Sequence, residues 1–277
     1  RLGVQVDVFV ASQVGVGAGA LIRLAEGSGG AFVSHSAFGG AMRTDMVNAS
    51  RRGCGSSGVL AVAASRGVAV TRVIGPLVPP STREECDAEE GSPGLCVSPS
   101  VEPRNAYTVL FTLLEDVADG EWVYLQAQAA FTAHGGERVL RVSTLRLRAT
   151  SNVAALLQSV DVEAAAVVLA KEAVSDVFQG SETVEAAKHA VNARLQGIAR
   201  TLGDQVKVTA SGRVNVVPSQ LSGLPHFCYH LQRGPLLGPI LNHPDDYAAV
   251  RALFLRAGVA DAARILAPTL LECTPAG

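Results

Sequence analysis

Between residues 224 and 246 the chain reads LPHFCYHLQRGPLLGPILNHPDD. His226, Cys228, His230 and His243 all carry side chains that bind borderline or soft metal ions. A structural zinc site draws its ligands in tight pairs such as C-x2-C. Here three of the four recur at i, i+2 and i+4 in a stretch that reads as helical. On a helix only His226 and His230 then share a face, and Cys228 points elsewhere. No second Cys or His pair lies nearby, and His243 follows two further prolines, Pro235 and Pro239. The spacing predicts histidines on a helix surface. A metal-dependent enzyme built on His226 and His230 is the rival reading, and elemental analysis of the purified chain decides it.

Other patterns that could do chemistry fall short of their templates. GVGAG at 15–19 follows a strand and opens a helix, as a dinucleotide-binding turn does. Its third glycine comes one position early, and Glu26 is too close to serve as the ribose-binding acid. GCGSSG at 53–58 lacks the G-x-S-x-G spacing of a nucleophile elbow and reads as a linker. Asp161 and Glu163, two residues apart on a helix, face away from one another and cannot share acid/base work. One local charge bias remains: ERVLRVSTLRLR carries Arg138, Arg141, Arg146 and Arg148 against Glu137 alone. A basic strand can meet phosphates of lipid headgroups or a nucleotide, or simply guard an exposed edge.

The elements that must position these residues fall into three blocks. Residues 1–52 alternate strand and helix: VQVDVFVA, a helix near 18–26, AFVSH, and a helix from about Phe38 to Arg51. So short an α/β segment predicts the end of a larger layer. Residues 53–149 read as an antiparallel β-sandwich or small barrel. Two strands meet near Ser65 to Gly67, and a long acidic loop spans 79–103. A hairpin turns at His134-Gly135-Gly136 and carries a β-bulge where its apolar phase slips between Val142 and Leu145. Residues 150–277 read as an all-α domain. Its clearest helix has the stripe Val184, Ala187, Val191, Leu195, Ile198 and Leu202, and Pro244 with Asp245 and Asp246 opens another.

Composition bounds the rest. The chain has 277 residues, 48% of them hydrophobic and 17% charged, with a formal net charge of −2. That balance offers no general case for nucleic-acid binding. Mean hydropathy is +0.27, yet every apolar run is broken before the roughly 18 to 20 residues that a membrane span needs. Five cysteines at irregular spacing fit a reducing compartment better than a disulfide framework. A chain that opens with Arg1 and at once enters a strand reads as a piece of a longer protein.

Six stretches, in order, resemble one family: the GTPase-activating inner-coat subunits of COPII vesicles, the Sec twenty-three family. The 224–246 segment resembles P-Q-F-x-x-H-L-R-R-S-x-F-L-x-x-F-N-N-S-P-D-E. Pro225, Phe227, His230, Leu231, Arg233, Leu237, Asn242, Pro244 and Asp245 match. His226 stands where the family has Gln, and Gln232 replaces the first Arg. SVDVEAAAVVLAKEAV, FTAHGGERVLRVSTLRLR, RVIGPLVPP, SGGAFVSHSAF and LAPTLLE resemble further family motifs, including F-D-Q-E-A-A-A-x-L-M-A-R and I-Q-P-I-L-Y. The paralogous cargo-binding subunit shares parts of this pattern. The G-P after the strand and the H-L-x-R block favour the GTPase-activating member.

The resemblance implies the end of a von Willebrand-like trunk, then the sandwich, then the helical domain. It implies a structural and interaction role at the endoplasmic reticulum, cytoplasmic and peripheral on its membrane and on the vesicle coat. The implied partners are the small GTPase Sar, the cargo-binding paralogue, the outer-cage subunits and an acidic membrane, with no nucleic acid. The stretch near Phe38 and the basic strand at Arg138, Arg141, Arg146 and Arg148 are the expected contact regions. No cofactor is expected in these residues, since the family's zinc belongs to a separate zinc finger. Its GTPase-stimulating arginine belongs to a gelsolin-like domain, where it stabilises charge in phosphoryl transfer. These residues are therefore expected to have no GTPase-activating activity, even if the parent does.

Overall fold

The computed structural model describes residues 4–53, 55–77, 95–203, 205–209, 212–239 and 243–268. The chain divides into two compact units, one of Arg1–Leu156 with Asn242–Arg256, the other of Leu157–Leu241 with Ala257–Gly277.

The first unit opens with strand β1 (Val8–Ala11), helix α1 (Ala18–Ser28), strand β2 (Phe32–His35) and helix α2 (Gly40–Ser50). β1 and β2 pair in parallel, as a strand–helix–strand crossover requires. Ala18, Ile22 and Ala25 step by four and three, and all three are fully buried, which fixes the inward stripe of α1. The helix stops at Gly29, whose φ of 79° lets its N–H turn back to the carbonyls of Ala25 and Glu26.

Six strands follow: β3 (Gly55–Ala64), β4 (Val68–Ile74), β5 (Leu95–Val101), β6 (Thr108–Leu113), β7 (Trp122–Thr132) and β8 (Arg138–Arg148). One sheet has the order β5-β3-β7-β8, and β4 pairs with β6 in a second. Leu60, Val62 and Val70 form the buried centre, with Val73, Tyr107, Val109, Ala127 and Ala129 packed around them. These strands realise the antiparallel sandwich expected from the sequence.

Three local expectations need correction. β5 lies inside the stretch expected to be loop, 79–103; residues 79–94 of that stretch are outside the described residues. It escaped notice because Ser98 and Ser100 point into buried positions and Pro99 interrupts it. Proline is tolerated there because β5 is an edge strand. Ser98 Oγ satisfies itself on the Ser100 carbonyl at 2.8 Å and the Tyr107 hydroxyl at 2.9 Å. Second, the linker reading of 53–58 fails, since Gly55 already begins β3. Gly55 and Gly58 leave no room for a Cβ beside Phe131 and the Ser98 carbonyl, respectively. Third, the β7–β8 ladder is continuous from Trp122↔Arg148 to Thr132↔Arg138 and has no bulge. The register shifts lie instead between Ser56 and Val59 and between Val70 and Arg72. β8 is an edge strand whose apolar residues are mostly exposed, so no core face forces its phase.

Helix α3 (Val153–Ser159) links the two units along the chain, and α7 (Pro244–Arg256) groups with the first unit. The second holds α4 (Val162–Gln179), α5 (Val184–Leu202), α6 (Leu224–Arg233) and α8 (Val259–Leu266), with the hairpin β9 (Gln205–Thr209) and β10 (Gly212–Val216). Among the described residues the region from 150 onward is mainly helical as expected, with the β9–β10 hairpin added. Asp161 and Thr183 cap α4 and α5 by accepting from the amides of Ala164 and Ala186. The carboxylate of Asp161 thus serves a helix end. Among the described residues no single helix is long and apolar enough to cross a membrane; α3 and α4 pass together by composition only, with a bend of 81°.

Candidate partner-binding face

Alternation along β8 separates the four arginines. Arg138, Arg146 and Arg148 project from one face, and Arg141 from the opposite one. The ladder places Trp122 opposite Arg148, Tyr124 opposite Arg146 and Thr132 opposite Arg138. Opposite residues on one face are in side-chain reach, and the Arg146 guanidinium lies 4.1 Å from the centre of the Trp122 ring. Arg138 is anchored at the other end, donating to the Ser57 carbonyl at 3.2 Å and to Thr132 Oγ1 at 3.3 Å. Between them Leu140 and Val142 are exposed at 64% and 49%. One acid approaches the Arg148 end: Asp119 accepts from the Ser151 amide at 2.7 Å. That bond chiefly holds its carboxyl below the usual carboxylate range, and Arg148 adds to the effect. The result is an open sheet face that combines cations, two amphipathic aromatics and aliphatic surface.

Phe38, the other expected contact, is 84% exposed in the turn before α2. It belongs to a different element from the arginines. Trp122 and Tyr124 were missed by the sequence reading. Their alternation with Val123 and Leu125 is the signal that could have found them.

The other chemistry candidates resolve into structural roles. α6 puts His226 and His230 on one face, ring centres 4.4 Å apart in an edge-to-face contact. Cys228 turns inward with Leu224 and Leu231, and burial pushes its thiol up to about 11. His243 belongs to the first unit, where its Nδ1 lies 3.4 Å from Asp245 Oδ2. Among the described residues no three His, Cys, Asp or Glu side chains are grouped to hold a metal.

The GVGAG turn does present amides to an anion, but the anion is the chain's own. Asp245 accepts from the amides of Val16 and Ala18 at 2.7 and 2.8 Å. These bonds, that from Val16 foremost, hold its carboxyl below the usual range. The turn must be glycine-rich: Gly17 has φ 68°, and a Cβ on Gly15 would sit 1.6 Å from the His243 ring. An open cleft of about 940 Å³ lies at the carboxyl ends of β1 and β2, lined in part by Ser12, His35 and His243.

Residues 55–150 match the Sec23/Sec24 beta-sandwich domain, and residues 161–264 match the Sec23/Sec24 helical domain. The chain belongs to the Sec23/Sec24 family. It is 32% identical over 272 residues to the protein transport protein SEC23 A of Arabidopsis thaliana, covering 96% of this chain and 30% of that protein. It is 25% identical over 295 residues to SEC23 C of the same plant, covering 96% and 37%. A Neurospora crassa sec24 protein is 30% identical over 142 residues, covering 51% of this chain and 15% of that one. The human COPII-coat protein Sec24c superposes with a TM-score of 0.77 at 19% identity, covering 94% of this chain and 33% of that one. The chain thus spans about a third of the length of the curated relatives it matches end to end. Within the Sec23/Sec24 family the near-complete match is to SEC23 proteins, and the sec24 match covers only half as much. The Sec24c superposition shows the fold.

Proposed function

We propose that this chain is part of the inner layer of a COPII coat, where it acts as a structural and interaction protein in transport from the endoplasmic reticulum. Its support is the match to SEC23 A across 96% of the chain, with sandwich and helical domains in the family's order. The parent is proposed to activate the small GTPase Sar through a gelsolin-like domain. These 277 residues serve the coat by position and contact, with no catalytic residue and no zinc of their own. The parent's other partners are the cargo-binding paralogue and the outer cage, with Phe38 as a contact. It resides in the cytoplasm, peripheral on the endoplasmic reticulum membrane.

The outer face of β7 and β8 is the proposed membrane contact. Arg138, Arg146 and Arg148 supply attraction to anionic headgroups, roughly 1 kcal/mol for each basic side chain near the surface. Trp122 and Tyr124 are the side chains that favour an interface that is apolar on one side and wet on the other. Trp122 is the chain's only tryptophan, so its emission reports on this face alone. Titrating vesicles of phosphatidylcholine with phosphatidylserine should shift that emission to the blue, and the triple reversal of Arg138, Arg146 and Arg148 to Glu should abolish the shift. An unchanged emission, or equal binding by the reversed chain, refutes the membrane contact.

A further inference from the structure

Five charged side chains meet inside the first unit: Asp7 before β1, Glu26 on α1, Arg52 after α2, Glu102 after β5 and Arg256 at the end of α7. Three carboxylates face two guanidiniums, so full ionisation leaves one negative charge in excess. The distances show which carboxylate is the odd one. Asp7 accepts from Arg52 Nη2 at 2.7 Å and from the Ala31 amide at 2.8 Å. Glu102 accepts from Arg52 Nη1 at 3.2 Å and from Gln5 at 2.8 Å. Among the described residues Glu26 approaches only Arg256 Nη1, at 3.6 Å, beyond hydrogen-bond reach. Arg256 meanwhile directs its N–H groups to the Gly30 carbonyl at 2.9 Å and to Asn105 Oδ1 at 2.9 Å. The remaining ion pair, Arg256 Nη2 to Glu102 Oε2, is 3.8 Å apart. Tyr107, also near Arg256 and Glu102, has its phenol pushed up, chiefly by burial, and stays neutral.

We propose that Glu26 is a proton-operated latch: with its proton it lets α1 close against α7 and the end of β5, and its ionisation loosens that packing. The side chain of Glu26 is only 19% exposed, and a buried carboxylate without a hydrogen-bonded partner favours its neutral form. Burial raises this carboxyl to about 7; Arg256 opposes the rise and Glu102 adds to it. The latch joins segments more than 200 residues apart in sequence, and its range of action is centred on neutrality. In the unfolded chain the same carboxyl titrates near its ordinary 4.5. The stabilisation from the held proton is therefore complete below about pH 4.5 and is lost as pH rises through about 7.

The 277-residue chain unfolded in urea tests this at about pH 5.5 and about pH 8.5. The linkage relation gives a roughly 30-fold rise in the wild-type unfolding constant between them. Glu26→Gln, which keeps the shape of the protonated acid, should remove that rise and be the more stable chain at the higher pH. The histidines are common to both chains, so any contribution from them cancels in the comparison. A carboxyl-carbon NMR titration of the wild type gives a second readout, with Glu26 expected to turn over near 7. Parallel pH curves for the two chains, or a Glu26 carboxyl that titrates near 4.5, would overturn the latch.

Discussion

Lys171 is the largest of the fully buried described side chains, at 1% exposure in the middle of α4. Its Nζ donates to the carbonyl of Ala257 at 2.6 Å, which lies just past the end of α7. An ammonium withdrawn from water disfavours its charged form, and burial lowers this group from 10.5 to about 8. At 1.36 kcal/mol per unit, keeping the proton in the folded state at pH 7 costs about 3 kcal/mol relative to the neutral amine. The unfolded chain binds more protons between pH 8 and 10.5, so this linkage makes stability rise with pH across that window. It is fully relieved only above the unfolded value, and between pH 7 and pH 10 the gain works out at about 2.5 kcal/mol. Lys171→Met removes the ammonium but leaves the Ala257 carbonyl without this donor, a loss of about 1–3 kcal/mol. The two effects nearly cancel at pH 7, where the variant should match the wild type or exceed it slightly. At pH 10 most of the first effect is gone, and the variant should be the less stable by up to about 2 kcal/mol. Urea unfolding followed by helical circular dichroism at both pH values measures the difference. A Lys171→Met difference that does not change with pH refutes the reasoning, because only titration of this amine predicts its slope.

Two further substitutions or reactions address other sites. Gly15→Ala drives a methyl group into the His243 ring and should lower the melting temperature, and adding His243→Ala should recover most of the loss; a Gly15→Ala chain that melts like wild type would contradict the packing of the turn. Cys228, with its thiol near 11 instead of 9.0, should alkylate about 100-fold more slowly than an ordinary thiol in the folded chain, and at an ordinary rate in urea. Peptide mass spectrometry after timed iodoacetamide exposure reads both rates, and rapid labelling of folded Cys228 would show that α6 does not bury it.

The helices were legible because each carries its own period and its own stops. α5 shows an unbroken stripe from Val184 to Leu202, and α7 begins at Pro244 with two acids behind it, so neighbours within one helix settle the assignment. α1 ends at the glycines that punctuate it. β5 was hidden for the opposite reason. Its inward residues are Ser98 and Ser100, which become acceptable in the interior only when Tyr107 and Gln5 supply partners from elsewhere in the chain. A hydropathy pattern cannot register a polar residue whose partner lies elsewhere in the fold. The grouping of α7 with the first unit is of the same kind: the Asp245 carboxylate that fits the amides of Val16 and Ala18 is 229 and 227 residues away from them.

The basic strand shows where a one-strand reading must stop. Counting arginines in ERVLRVSTLRLR finds four charges, but charge acts through a face, and faces are set by parity and by the neighbouring strand. Parity alone removes Arg141 from the group. What remains acquires its chemical character from β7, because the ladder sets Trp122 and Tyr124 opposite Arg148 and Arg146. Had the expected bulge existed between Val142 and Leu145, one extra residue would have reversed the facing of everything after it. Arg146 and Arg148 would then have joined Arg141 on the opposite face, leaving Arg138 without them and Trp122 without its cation. The continuous register therefore determines whether this strand presents a cationic and aromatic face at all. Inserting a single residue after Ser143 should separate the arginines while leaving composition and net charge nearly unchanged. If anionic vesicles still shift Trp122 emission in that insertion variant, the local number of arginines carries the binding, and the face described here does not.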